Sequence, residues 1–290
     1  MNLSEVTIII PHIFLSEETD FALKECLKSL EETVPEMKKI VVINGMRFEN
    51  DFEIVKYPNV EFIVLERQGQ CSAVNSAFSV VNTPWGFVTN NDMIYAPNWL
   101  EKLLETAKKY KLKYLCPNLV EPRPGAPPFL VQSFGGAGGD FNKEAWLDFA
   151  SKHEEKMLEE GFNLPFLIDR EVWQRIGGYD INYDPWGSNG DSDLQAKLIL
   201  GSLTTFRDRN VVVYHFSQTS GTFHPDNQSY WQKNYAYFQE KWGFERQPES
   251  EKVWYSKDII DHVKLIYHPE WEKKLSKASF ADFNFVGNPK

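Results

Sequence analysis

Strand and helix signals alternate through the first 120 residues of this 290-residue chain, and that alternation restricts the fold more than any other feature. Val6 to Ile10 is a β-branched run closed by Pro11, the pattern of a buried first strand. Phe21, Leu23, Leu27 and Leu30 recur at helical spacing and predict a helix over roughly residues 18 to 33. Lys39 to Ile43 reads as a second strand ending in the turn signal Asn44-Gly45, and Val60 to Leu65 as a third. Ala73, Ala77 and Val81 mark the next helix. Such alternation implies a mostly parallel central sheet, flanked by helices and joined by right-handed crossovers.

The run Trp85-Gly-Phe-Val-Thr-Asn-Asn-Asp92 then shows where such a sheet would bind something. An apolar strand stops abruptly in Asn90, Asn91 and Asp92, and open α/β sheets bind ligands beyond the carboxyl ends of their strands. One carboxylate flanked by two amides suits a hard cation shared with phosphate oxygens. A turn with no ligand is the alternative reading of those three residues.

Past Pro117 the texture changes. Glu121 to Pro128 carries four prolines and is followed by Gly135-Gly-Ala-Gly-Gly139. This reads as a long irregular connection, the form that mobile binding loops take. Residues 142 to 160 read as one charged amphipathic helix, Asn163 to Ile168 as a strand, and Arg170 to Ile176 as a short helix stopped by Gly177-Gly178. Residues 179 to 193 form a polar loop holding four aspartates and Trp186, and the loop runs into a helix at Leu194. Asp191 and Asp193 would stand at that helix's amino end, where the dipole favours a negative charge. Val211 to Tyr214 is a last strand delivering His215, and residues 227 to 242 read as an aromatic-rich helix.

Composition removes several function classes. The net charge is −10 and no dense Lys/Arg run occurs, so nothing supplies the phosphate-neutralising surface that nucleic acid needs. The three cysteines, Cys26, Cys71 and Cys116, show no paired spacing, which argues against a disulfide framework or a zinc site. No G-x-G-x-x-G follows the first strand and no Walker motif occurs, so dinucleotide redox chemistry and P-loop phosphoryl transfer lose their usual support. No apolar stretch approaches the roughly 20 residues of a membrane span, and no signal peptide opens the chain. The expectation is a cytoplasmic protein, with peripheral membrane contact left open.

Taken in order, these pieces resemble the GT-A glycosyltransferases, specifically the large family 2 of mostly inverting enzymes. The likeness spans roughly residues 5 to 243. Its carriers are Ile8-Ile-Ile-Pro11, Lys39 to Gly45, Gln70 to Ala77, Val88-Thr-Asn-Asn-Asp-Met93, Pro97-Asn-Trp-Leu100, Ile176-Gly-Gly-Tyr-Asp180, Gly190-Asp-Ser-Asp-Leu194 and Val213-Tyr-His215. The resemblance implies a Rossmann-like GT-A fold. Residues 1–120 would be the nucleotide-sugar-binding half of one domain, 121–226 the acceptor-binding and catalytic half, and 227–290 a C-terminal helical extension. The residues after 243 would pack on the acceptor side or make a homodimer contact.

The resemblance also implies the chemistry. The donor would be a nucleoside-diphosphate sugar, UDP-linked by default and dTDP-linked as the second choice, and the acceptor a hydroxyl of a glycan or another molecule. The family's D-x-D motif falls on Asn90 to Asp92, with only the last position an aspartate. Asp92 and His215 would hold Mn²⁺ or Mg²⁺. Pro11, His12, Asn44, Gln70, Asn75, Asn90 and Asn91 would line the nucleotide side, with Asn75 equally readable as a helix-packing residue. Asp191 would be the catalytic base. Asp193 would orient it or raise its pKa, and Trp186 would stack on the acceptor sugar or pack in the core. The 121–140 loop would act as a lid. A sugar-nucleotide pyrophosphorylase and a non-catalytic nucleotide- or carbohydrate-binding module are the competing classes. The first lacks its Gly-rich basic loop here; the second gains from the missing aspartate and from Lys197, where relatives commonly carry Arg.

Overall fold

The structure is a computed structural model that describes residues 2–45, 57–66, 69–123, 129–217, 219 and 224–242. Its strands are β1 (Val6–His12), β2 (Lys38–Asn44), β3 (Val60–Leu65), β4 (Trp85–Val88), β5 (Met93–Ile94), β6 (Tyr114–Glu121), β7 (Leu130–Val131), β8 (Leu158–Glu160), β9 (Phe166–Asp169) and β10 (Phe206–His215). Its helices are α1 (Glu17–Thr33), α2 (Gln70–Phe78), α3 (Trp99–Tyr110), α4 (Lys143–Lys152), α5 (Arg170–Ile176), α6 (Gly190–Leu200) and α7 (Gln228–Trp242).

All the strands join one sheet, in the order β3-β2-β1-β4-β9-β6-β10-β5, with β7 beside β6 and β8 beside β10. The β3-β2-β1-β4 run is parallel, as the alternation requires. β9 is inserted antiparallel between β4 and β6, and β5 closes antiparallel on β10. The sheet is therefore mostly parallel and runs unbroken across both halves of the chain. Every residue of β1, β4 and β6 is buried, the signature of strands covered on both faces.

Local chemistry sets the helices in place. A capping box opens α1: Thr19 N–H donates to Ser16 Oγ at 3.3 Å and Ser16 N–H donates to Thr19 Oγ1 at 3.0 Å, with Glu17, Glu18 and Asp20 favoured by the helix dipole. Its buried face, including Leu23, Leu27 and Leu30, packs with Ile8, Ile10, Phe87 and Trp99 on one side of the sheet. On the other side Ile9, Val42, Val74, Trp173, Tyr179, Leu194 and Phe238 form a second core. A third cluster gathers Phe134, Trp146, Tyr214 and Phe216 beneath the segment that follows β7.

The structure departs most from the sequence reading between residues 142 and 168, apart from elements that begin earlier than expected, such as β10 at Phe206 and α6 at Gly190. The helix predicted over 142–160 ends at Lys152, and Leu158–Glu160 instead adds a strand antiparallel to the start of β10. His153 and Glu155 are drawn to Arg209 at that strand, so tertiary pairing overrides the helical propensity of a charged segment. The strand predicted over 163–168 begins only at Phe166. Asn163 instead spends its side chain on Pro117 O, Arg207 and Cys116. In the expected C-terminal extension, residues 243–290 lie outside the described part of the chain, whereas α7 falls where it was predicted.

Candidate functional site

The carboxyl ends of β1, β2 and β4 carry the first set of polar groups. Asn91 donates Nδ2–H to His12 Nδ1 at 2.8 Å, so the imidazole keeps its proton on Nε2. His12 is only 2% exposed, and burial pulls its pKa down to about 3, leaving the ring neutral. Among the described residues, His12 Nε2 and Asn44 Oδ1 are buried without a partner. They stand on neighbouring strands in register, with His12 opposite Ile43. His12 therefore shares a face with Ile43 while Asn44 points to the other, so the two are separate open groups that ligands can satisfy. Pro11 is buried in the same strand, one position before His12.

The second set lies where β5 meets β10. Met93 pairs with His215, and Phe216 N–H donates to Asp92 O at 3.0 Å, which brings two side chains far apart in sequence together. His215 Nε2 is 3.3 Å from Asp92 Oδ2, and the same oxygen accepts the Thr219 hydroxyl at 2.7 Å. The other ring nitrogen, Nδ1, is 2.7 Å from Glu121 Oε1. Burial alone would raise the Asp92 carboxyl, but the charge and hydrogen bond of His215, with the Thr219 hydroxyl, hold it below its ordinary value. Burial likewise opposes the His215 imidazolium, yet Asp92 and Glu121 outweigh it and raise that group to about 10.

This pair fits a divalent cation that takes the place of the proton on His215 Nε2. Asp92 Oδ1 is buried with no partner among the described residues. A histidine whose far nitrogen is held by a carboxylate is the arrangement that orients a metal ligand. No group of three or more His, Cys, Asp or Glu among the described residues is placed to hold a metal. Two protein ligands leave most of a coordination sphere to phosphate oxygens and water, a common pattern for Mg²⁺ beside nucleotides.

The third set is on the first turn of α6. The Tyr179 hydroxyl donates to Asp191 Oδ1 at 2.5 Å. Burial pushes the Asp191 carboxyl up, and the Tyr179 hydrogen bond partly offsets that. Asp193, two positions on, projects to a different side of the helix and is fully buried. It binds Lys241 Nζ at 2.7 Å and accepts Trp242 Nε1–H at 2.9 Å. The orienting contact on Asp191 thus comes from Tyr179. Trp186 is half-buried in the loop that precedes α6. Asn75 donates to Tyr179 O at 2.8 Å and accepts Tyr179 N–H at 2.9 Å, so its amide fastens α2 to that loop.

The Asn90 end of β4 and the start of α6 both meet the amino terminus of α2. Gln70 Nε2 lies 3.5 Å from Asn90 Oδ1, which ties the end of β4 to the first residue of α2. Next to it, a Cβ on Gly187 would come within 3.2 Å of Gln70, and one on Gly190 within 3.0 Å of Cys71 Sγ. The start of α6 therefore packs directly on α2. Gly69 has φ +121° and makes no side-chain cap, and a Cβ there would collide with Asp184. Asp184 takes over the capping from the loop between α5 and α6.

Tyr179, Asp184, Glu121 and Thr219 are the site residues to which the sequence reading gave no role. Glu121 carried the same signal as Asp92, a carboxylate ending an apolar run (Tyr114 to Val120) at a strand's carboxyl end. Thr219 and Asp184 had none, since only tertiary contacts reveal them. In the segment expected to act as a lid, the Tyr214 hydroxyl donates to Gly135 O at 2.5 Å and accepts Phe134 N–H at 3.0 Å, pinning its second half to β10. Residues 124–128 of that segment lie outside the described part.

A mixed sheet of this order, with polar residues gathered at its carboxyl edge, is the architecture of a GT-A glycosyltransferase. Two solved structures share it. GalNAc-T7 with UDP, GalNAc and Mn²⁺ has a TM-score of 0.62 and 15% identity, covering 97% of this chain and 56% of that one. The mannosyltransferase PcManGT from Pyrobaculum calidifontis, in complex with GDP-Man and Mn²⁺, has a TM-score of 0.56 and 14% identity, covering 98% of this chain and 72% of that one. The chain thus spans little more than half the length of the GalNAc-T7 chain. No curated protein matches its sequence. The model of glycosyl transferase family 2 matches residues 18–171, more than half of the chain, and the protein belongs to that family. Among the described residues no helix is long and apolar enough to cross a membrane.

Proposed function

We propose that this glycosyltransferase moves a sugar from a nucleoside-diphosphate sugar to an acceptor hydroxyl with inversion, and that Asp191 is its base. The observation that carries the reading is the packing of Asp191's helix and of the Asn90–Asp92 strand end against one α2 terminus. Donor and acceptor groups meeting there would react within a single pocket.

Asp191 takes the proton of the acceptor hydroxyl while that oxygen attacks the anomeric carbon and the bond to the diphosphate breaks. A carboxyl lifted by burial suits this work, because a stronger base accepts the proton more readily. Tyr179 fixes the direction of the carboxylate. Asp92 and His215 would hold Mn²⁺ or Mg²⁺, which when bound neutralises charge on the departing diphosphate as a Lewis acid. Asn44 Oδ1 is an open buried acceptor, a match for the N3–H of uracil or thymine. This supports a UDP-sugar, with a dTDP-sugar next. Gln70 and Asn90 would border the pyrophosphate, and Trp186 would offer its ring to the acceptor sugar.

The test is release of nucleoside diphosphate from a panel of nucleotide sugars with Mn²⁺, followed by NMR assignment of the product anomer. Asp191→Asn should bind donor as the parent does and turn over at least a hundredfold more slowly. A retained anomeric configuration would overturn the mechanism. A parent protein that binds donors and turns over none would leave a non-catalytic binding module.

A further inference from the structure

The loop that carries Trp186 and leads to Asp191 is gripped at both ends by one helix that the donor side does not use. Two buried carboxylates bracket that loop, Asp180 at its start and Asp193 just past Asp191. Lys241, near the end of α7, lies between them, its Nζ 2.6 Å from Asp180 Oδ2 and 2.7 Å from Asp193 Oδ1. Neighbouring side chains of α7 repeat the grip. Tyr237 donates to Asp180 Oδ2 at 2.9 Å, Trp242 donates to Asp193 Oδ1 at 2.9 Å, and Asn234 donates to Tyr183 O at 2.6 Å.

We propose that α7 is a clamp on the acceptor-side loop and that Lys241 is its positioning residue, setting the direction in which Asp191 points. The inference rests on the reading of Asp191 as the base. Asp193 is held on one side of α6 while Asp191 faces another, so a bond that fixes Asp193 fixes the rotation of the helix's first turn. Buried ion pairs contribute little net stability compared with apolar packing of the same volume, and a fold that needed only an anchored helix could use leucines. What directional bonds add is a single geometry. Without the Lys241 ammonium, Asp180 loses its ion pair, and Asp193 keeps Lys197 at 3.5 Å as its counter-charge beside the neutral donors Trp242 and Tyr183. A buried carboxylate short of its counter-charge is relieved by turning toward water, and that would carry the loop with it.

The experiment compares Lys241→Met and Lys241→Arg with the parent in the full chain. Hydrogen exchange should rise at least tenfold across residues 183–193 in Lys241→Met and stay unchanged in β1 and β4. Affinity for UDP with Mn²⁺ should stay within twofold of the parent, while transfer to the acceptor falls tenfold or more relative to donor hydrolysis. Lys241→Arg should recover part of the loss. Unchanged exchange and transfer in a folded Lys241→Met protein, or a loss of UDP affinity matching the loss of transfer, would overturn the proposal. Should Lys241→Met not fold, Trp242→Phe removes one hydrogen bond and should shift both readouts the same way, less strongly; no shift overturns the clamp. A parent protein without turnover would sink the reading of Asp191, and exchange over 183–193 would still decide whether α7 clamps the loop.

Discussion

Asp184 caps a helix that begins 114 positions before it, at Gln70: its Oδ2 accepts the Ser72 hydroxyl at 2.6 Å and Ser72 N–H at 3.0 Å, while Oδ1 accepts Cys71 N–H at 2.9 Å. Because Gly69 offers no side chain, these are the N-cap bonds of α2, and they come from the loop between α5 and α6. Removing an N-cap usually costs about 1 kcal/mol, and leaving buried donors unpaired adds a similar amount. Asp184→Ala should therefore lower unfolding stability by about 2 kcal/mol in urea titrations, and Asp184→Asn by less. A loss below half a kilocalorie would show that α2 holds its terminus without Asp184.

His12 makes stability depend on pH. Its folded-state pKa, about 3, lies below the ordinary 6.5, so between those values the unfolded chain binds a proton that the folded one refuses. The stability is then fully present above pH 6.5 and falls as the solution is acidified toward 3, at about 1.4 kcal/mol per pH unit from this group. Chemical unfolding at pH 7 and at pH 5 should differ less in His12→Gln than in the parent. Equal differences in the two proteins would mean that the ring becomes charged without cost.

The fold was legible because local signals carried it. Ile8 to Ile10 and Lys39 to Ile43 are strands buried on both faces, and Leu23, Leu27 and Leu30 mark a helix with one buried side; such patterns need no knowledge of distant residues. The antiparallel insertion of β9 was not legible, since Phe166–Asp169 is an apolar run that carries no mark of direction. At the site, Asp92, His215 and Asp191 could be read as polar residues ending strands or opening a helix. Their partners could not. Glu121, Thr219 and Tyr179 act through contacts across the fold, and Asp193, legible as an acid beside Asp191, turns out to face Lys241 and Trp242.

Glu121 should matter to metal affinity without touching the metal. It holds His215 Nδ1 at 2.7 Å and so fixes which nitrogen faces Asp92. Loss of such a partner commonly weakens metal binding by about 10- to 100-fold. Thermal stabilisation by Mn²⁺, titrated in Glu121→Gln and in the parent, should show a shift in midpoint of that size with no sugar donor present. A midpoint unchanged in the variant would assign the ring's orientation to Asp92 alone.

Tyr179 is placed to tune Asp191, the proposed base. Burial raises the Asp191 carboxyl and the Tyr179 hydrogen bond lowers it, so the acid limb of the pH–rate profile should lie above the range of an ordinary exposed carboxylate. Tyr179→Phe keeps the ring and removes the hydroxyl, leaving burial less opposed. The limb should then move to higher pH, since the ionised form loses a hydrogen bond that favours it. Turnover at neutral pH should fall about tenfold, the equivalent of about 1.4 kcal/mol, as the carboxylate loses its alignment. Both effects should be read in kcat/KM for transfer, with donor affinity measured alongside. A limb that stays in place while the rate falls would separate alignment from ionisation and assign Tyr179 to the first alone. A limb that moves to lower pH would mean that another group in the profile, rather than Asp191, takes the proton.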